Sequence, residues 1–404
     1  MQFIEIRPRV GGVSGISALD SAVAGANLGG VIAGRGRMRK PPSMPEPLKN
    51  WFDAARFTAL ADLFAAAHRG FDREQFLAQT LPGLAPLALL ARMRRGSAAL
   101  RAALPGGFLE AVPVLHAVAP RIDHTFVGMI LPDFVGCYGH EHPAEALELL
   151  RYLTRFSSGE FAVREFLRRD LRGTLAVMAQ WAGDDNEHVR RLASEGCRPR
   201  LPWSFRLEAL VADPSPVAPI LDRLAADPSL YVRKSVANHL NDISKDHPDW
   251  MLARLRGWDL GPPHTAWIAK RAARTLIKAG HPGALRLFRF GARPAVRLAD
   301  FRLAAKRIRL GEALAFSGTL VSTGRRAQRL VVDYVVHYVK QNGTTAPKVF
   351  KLAEVELARG GRVAIAKRQV LRDFTTRRHH AGRHRVELQV NGTILAGADF
   401  ELKV

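Results

Sequence analysis

The spacing of hydrophobic and polar positions changes once along this chain, near residue 294. From Pro45 to about Arg293, apolar residues recur at helical spacing. PLKNWFDAARFTALADLFAAAH places Phe52, Leu60 and Phe64 in that rhythm, and REQFLAQTL, AEALELLRYLTRF and APILDRLAA repeat it. Short Pro, Gly or Asp breaks separate the runs, and strand-like alternation is scarce, so this span predicts an all-α array. Beyond it, ALAFSGTLVSTG, QRLVVDYVVHYVKQNG, KVFKLAEVELARGG, RVAIAKRQVL and HRVELQVNGTILAGADFELKV show short alternating runs broken by glycine turns. Asn391-Gly392 between two such runs is a hairpin signal. Six or seven short strands are expected there, enough for an immunoglobulin-like sandwich.

Internal similarity refines the helical part. Asp184 to Arg191 (DDNEHVRR) resembles Asp227 to Lys234 (DPSLYVRK), with Val189 and Val232 in register 43 residues apart. HEAT-type repeats recur at about 40–47 residues. Trp267 to Arg271 forms a weaker third copy, with Leu276 matching Leu240. One repeat cannot bury its own apolar face, so copies must stack, and stacked helix pairs make a concave surface. The expectation is a mainly α protein: a HEAT-like α-α superhelical solenoid over residues 44–293, then an all-β immunoglobulin-like sandwich over 294–404. Residues 1–43, rich in Gly, Ala and Ser, read as disordered or as an extension upstream of a start at Met44.

Charge adds a partner to this picture. Sixty Lys and Arg against 37 Asp and Glu give +23 and a pI near 11.0. A surface this basic fits nucleic acid or an anionic membrane. No apolar run is long enough to span a bilayer, and MQFIEIRPRV lacks the order of a signal peptide. A cytoplasmic protein without membrane association is expected. Cys137 and Cys197 lie in no CxxC or Cys/His cluster, so no metal and no cofactor are expected. Walker, GxSxG, HExxH and dinucleotide-binding glycine motifs do not occur, which removes most common enzyme classes.

Three segments could carry chemistry. Ser157 to Arg164 (SSGEFAVR) opens a helix and reads first as a capping box, with Ser157 capping and Glu160 reaching back; alternatively Glu160 is a carboxylate in a basic cleft. In Trp181 to Arg191, Asp184 could cap the next helix with Glu187 closing the box, and Trp181 could be plain core. Yet Trp181, Asp184, Asp185, His188, Arg190 and Arg191 form a dense cluster. Prolines hold Arg198, Arg200 and Trp203 on a loop, an arrangement suited to a backbone phosphate and a base or sugar face, or to a tryptophan packed on the core. Lys270 and Arg274 share a helical face, and Arg233 and Lys234 occupy a place comparable to Arg190 and Arg191.

These residues resemble the AlkC branch of the AlkC/AlkD DNA alkylation repair glycosylases. The likeness rests on Ser157 to Arg164, Trp181 to Gly196, Arg198 to Trp203, Leu230 to Asp242 and Trp267 to Ile277, and covers roughly residues 45–293. Some members carry a C-terminal immunoglobulin-like domain. The resemblance implies a monofunctional hydrolase of base excision repair: a DNA glycosylase that cleaves the N-glycosidic bond of cationic bases such as 3-methyladenine. It implies a carboxylate that stabilises an oxocarbenium-like sugar: Glu160 first, with Asp184 or Asp185 as alternatives. Double-stranded DNA containing alkylated bases is the implied partner of a monomer. Contacts to it are expected from Arg164, Trp181, Arg190, Arg191, Arg198, Arg200, Trp203, Arg233, Lys234, Asn238, Trp267, Lys270, Arg271 and Arg274. Two other readings fit the charge and repeats: a non-catalytic nucleic-acid-binding HEAT scaffold, and a protein–protein adaptor.

Overall fold

The computed structural model describes residues 47–291, 293–374 and 377–404. The N-terminal extension expected over 1–43 lies outside the described residues.

Helices begin where the sequence supplies a start signal. Asp53, Asp72 and Asp170 each accept a hydrogen bond from the backbone N–H three residues on, at 2.8, 2.8 and 2.9 Å. Elsewhere Pro143, Pro248, Pro263 and Pro282 stand at the first helical position, where a missing N–H costs nothing. Phe52, Phe57, Phe64, Phe71 and Phe76 close the N-terminal end of the core, all nearly inaccessible. Alternate helices then pack in a row. Leu89–Ala103 packs on Ile130–Tyr138, which packs on Glu160–Arg169. Farther along, Glu187–Glu195 packs on Leu230–Ile243, and that helix on Pro263–Ala272. No single helix among the described residues is long and apolar enough to cross a membrane.

The chain divides into Glu46–Leu276 and a unit that holds Ile277–Val404. The boundary precedes the change of pattern at 294 because main-chain and side-chain groups between 277 and 291 are tied to strands and to the Asn391-Gly392 turn. Gln389 donates to the carbonyl of Lys278 (2.6 Å), Asn391 to that of Gly291 (2.6 Å), and Lys278 Nζ to that of Val349 (3.0 Å). The short helix Pro282–Leu287 therefore belongs with the strands.

Those strands form two sheets. β1 (Val296–Leu303), β3 (Ala313–Ser322) and β6 (Arg362–Val370) make one, in the order β1-β3-β6. The second runs β2 (Arg307–Arg309), β8 (Thr393–Lys403), β7 (Gly382–Val390), β4 (Gln328–Val339), β5 (Thr345–Leu357). Leu314, Phe316 and Leu320 meet Val332, Tyr334, Val336, Leu388 and Phe400 in one core. The alternation that signals strands is also what turns one face inward. Eight strands appear among the described residues, rather than six or seven, since three-residue β2 is too short to show a period. The Asn391-Gly392 turn forms as expected: Val390 pairs Thr393, and both turn residues have positive φ, 45° and 81°.

Candidate active site and nucleic-acid interface

Glu160 is the first residue of its helix, behind Gly159 as N-cap. No capping box forms. The carboxylate turns instead to side chains: the Ser158 hydroxyl donates to Oε2, and Arg191 Nη1 donates to both Glu160 Oε2 and Ser158 Oγ at 2.9 Å. From there charges alternate. Arg191 faces Glu195 at 3.6 Å, and Glu195 takes Arg198 Nη1 at 2.6 Å. Arg198 gives Nε and Nη2 to Asp242 Oδ2 at 2.8 and 2.7 Å, and Asp242 takes Lys245 at 3.0 Å. Glu160, Arg191, Glu195, Arg198 and Asp242 are all buried. Burial alone would raise the Glu195 carboxyl, but Arg198 and Arg191 overcome it and bring the group down to about 2. Burial likewise opposes charge on Arg191, yet Glu160 above all holds that guanidinium above its ordinary value.

Asp184 sits in a different arrangement, one that recurs. Its Oδ2 accepts from Arg151 (2.7 Å) and its Oδ1 from the N–H of Asn186 (2.8 Å). One repeat on, Asp227 Oδ2 accepts from Arg190 (2.7 Å) and Oδ1 from the N–H of Ser229 (2.8 Å). Arg190 Nη1 then binds the carbonyls of Asp184 and Asp185, both at 2.9 Å. Arg233 repeats this on Asp227 (2.9 Å) and Pro228 (2.8 Å). The 43-residue similarity is thus a latch that fixes each loop to the repeat before it. Asn186, rather than Asp184, caps the helix Glu187–Glu195, and Glu187 reaches the Ser229 hydroxyl instead of closing a box. Asp185 is exposed.

Several expected DNA ligands are not available as such. Trp181 is core. Arg164 is fully buried and donates to the carbonyls of Gly196 (2.9 Å), Arg198 (2.7 Å) and Phe205, stapling the proline loop to its helix; burial lowers it to about 10. Arg190, Arg191 and Arg198 hold the acids described above. Arg200 forms a two-point pair with Asp246 at 2.7 Å. Arg233 and Arg271 both lie over the Trp267 ring, at 5.9 and 5.3 Å, and Arg274 bonds Asn238 Oδ1 (3.1 Å) and the Arg271 carbonyl. Lys234 and Lys270 are half-buried. Trp203 is 47% exposed and holds φ at +65°, a value uncommon for a bulky residue.

Sequence reasoning missed Glu195 and Asp242. Glu195 is the last residue of its helix and Asp242 the last but one of its own, both in segments singled out there, but neither sits at a repeat-equivalent position. A sign lay in the i,i+4 and i,i+3 relations of Glu195 to Arg191 and Arg198.

A cavity of about 380 Å³ borders the helix Glu160–Arg169 through Phe161, Ala162 and Glu165, and no residue of the network lines it. Its walls come from the helices starting at Leu89, Ile130 and Glu160 and from residues 203–205 of the proline loop.

Residues 154–271 match the family model described as DNA alkylation repair enzyme, and residues 297–404 match the C-terminal Ig-like domain of the uncharacterised protein YhaZ. The chain is 39% identical over 356 residues to uncharacterized protein YhaZ of Bacillus subtilis (strain 168), covering 88% of this chain and 99% of that one. It is also similar to the solved structure of Pseudomonas fluorescens alkylpurine DNA glycosylase AlkC bound to DNA containing an abasic site analog. The identity there is 49% and the TM-score 0.84, over 89% of this chain and 100% of that chain. With these two relatives matched over nearly their whole length, the chain belongs to the AlkC branch of the DNA alkylation repair enzymes.

Proposed function

We propose that this protein is an alkylpurine DNA glycosylase that hydrolyses the N-glycosidic bond of cationic bases such as 3-methyladenine in double-stranded DNA. In this reading the stacked helices are a HEAT-like solenoid, and a monomer holds the duplex along its basic groove in the cytoplasm. The observation that carries the proposal is the buried series Glu160, Arg191, Glu195, Arg198, Asp242, three carboxylates paired with arginines inside a strongly basic protein. Carboxylates there weaken attraction for phosphate, so their presence calls for a chemical use.

The chemistry asks little of an acid. A purine alkylated at N3 or N7 already carries positive charge and leaves as a neutral base. As the bond lengthens, positive charge moves to the sugar, and a fixed carboxylate stabilises it most where water is excluded. Water attacking the anomeric carbon completes hydrolysis, as in glycosidases, with the lesion's charge replacing the general acid. Glu160 remains the first choice for that carboxylate, because Arg191 and Ser158 hold it oriented and no reorganisation is required. Glu195 and Asp242 replace Asp184 and Asp185 as the alternatives to it, since the Asp184 carboxylate is committed to its loop latch and the exposed Asp185 stands outside the series. The test is to incubate the protein with methylated duplex DNA and analyse the released bases. Free 3-methyladenine supports the reading; tight DNA binding with no base released favours a non-catalytic scaffold.

A further inference from the structure

Arg164 lies one turn after Glu160 on the same helix, fully buried, and its hydrogen bonds go to main-chain carbonyls. Nη1 donates to Gly196 (2.9 Å) and Arg198 (2.7 Å), and Nη2 donates to Phe205. Gly196 caps the C-terminus of the helix Glu187–Glu195, and the carbonyl end of a helix favours a cation. The two helices meet closely there: a Cβ on Gly196 would lie 2.4 Å from Val163 Cγ1. A guanidinium taken out of water with no carboxylate bonded to it costs stability that an apolar chain of similar volume would not. The arginine is therefore explained by what it holds.

What it holds is the loop of residues 196–207. Pro199 and Pro202 give that loop no N–H to donate. Within it Ser204 donates to Leu201 at 3.3 Å and Leu207 to Pro199 at 3.2 Å, both at the long end of the range. The first half is anchored by Arg198 on Glu195 and Asp242 and by Arg200 on Asp246. The second half is anchored by Arg164 on the Phe205 carbonyl, and the Phe205 ring lies against both Arg164 and Arg168, at 5.2 and 5.1 Å. Exposed Trp203, at φ +65°, stands between these anchors. A residue in that backbone region keeps its angle only where the surroundings impose it.

We propose that Arg164 is a positioning residue for DNA binding. It touches no DNA itself; it joins residues 196–198 to residue 205 and so holds Trp203 in one place for the duplex. The inference rests on the DNA glycosylase reading above and extends it from the acids to the loop. On that reading the same clasp steadies Arg198, which Glu195 and Asp242 share.

The test compares wild type, Arg164→Lys and Arg164→Met in binding to duplex DNA containing an abasic site, over a series of salt concentrations and at a temperature where all are folded. Lysine keeps the charge, but one ammonium in place of the planar fork does not bridge both ends of the loop. Methionine keeps most of the volume and none of the charge. Both variants are expected to bind about tenfold more weakly, the cost of ordering one or two loose side chains on binding, with the slope of log K against log salt unchanged. A phosphate ligand would behave otherwise: near-wild-type affinity in Arg164→Lys, and in Arg164→Met a slope shallower by about 0.9. That result overturns the proposal. Wild-type affinity in both folded variants also overturns it and leaves Arg164 a stabilising residue only. Should neither variant fold, Phe205→Ala keeps the carbonyl and removes the ring against the guanidinium. A smaller loss at unchanged slope is expected there, and wild-type affinity overturns the proposal. Wild-type protein that binds this DNA but releases no 3-methyladenine from methylated duplex removes the glycosylase reading, and the binding series still decides the clasp.

Discussion

Arg191 reaches Glu160 across 31 residues of sequence and joins two helices, its Nη1 lying 2.9 Å from Oε2 with both side chains under 10% exposed. A buried pair of this kind is a poor source of net stability, because desolvation offsets much of the attraction. Breaking it by removing one partner is costly, about 3–5 kcal/mol, since the other charge stays buried. The pair therefore constrains every experiment on Glu160. A neutral substitution alters chemistry and fold together unless the two are measured separately. The Ser158 hydroxyl, bonded to both partners, can still hold part of the geometry when the charge is gone.

The same network makes stability depend on acid. Glu195 titrates at about 2 in the folded protein against 4.5 ordinarily, and burial brings His239 down to about 3 from 6.5. For both groups the unfolded chain binds the extra proton first. Their contribution is complete above the unfolded values and is lost as pH falls toward the folded ones, the His239 part from about 6.5 to 3 and the Glu195 part from about 4.5 to 2. Urea midpoints should fall between pH 7 and pH 4. His239→Gln should remove up to one proton's worth of that slope, about 1.4 kcal/mol per pH unit. An unchanged slope in the variant would show that His239 is not held neutral.

Gly392 offers a steric test of the sandwich. It sits at φ +81°, and a Cβ there would lie 2.2 Å from the Gly280 Cα, which is backbone and cannot rotate away. Gly343, at φ +77°, has open space around it. Gly343→Ala should cost only the backbone term, about 1 kcal/mol. Gly392→Ala should cost clearly more by thermal melting. Equal losses would mean that Gly280 and Gly392 are not in close contact.

Trp203 separates stability from binding. Its positive φ costs about 1–3 kcal/mol, which glycine would not pay. Trp203→Gly should therefore be more stable than Trp203→Ala. Both should weaken binding to duplex DNA containing an abasic site, by the roughly 1–3 kcal/mol that an aromatic stacking contact supplies. Unaltered affinity in both variants would return Trp203 to the role of a loop residue only.

The division into helices and strands was legible because both periods are strong and the Asn391-Gly392 turn is specific. The 43-residue repeat was legible too, but its meaning was not. Arg190 and Arg233 recur because each ties down a loop through carbonyls, a backbone requirement that composition cannot distinguish from phosphate binding. Arg164 misled for a similar reason: an arginine in a basic segment looks like a DNA ligand until three carbonyls are found around it. Glu195 and Asp242 were hidden because their partners, Arg198 above all, come from the irregular loop after the helix, where no period applies.

The central claim is that Glu160 stabilises positive charge on the sugar. It is tested most directly by single-turnover release of 3-methyladenine from methylated duplex DNA, comparing wild type with Glu160→Gln at a temperature where both are folded. Loss of one fixed electrostatic stabiliser typically slows a reaction about 10²–10³-fold. The account predicts a slowing of that order, with DNA affinity unchanged or tighter because a negative charge has left a basic protein. Wild-type release rates in a folded Glu160→Gln variant would contradict it.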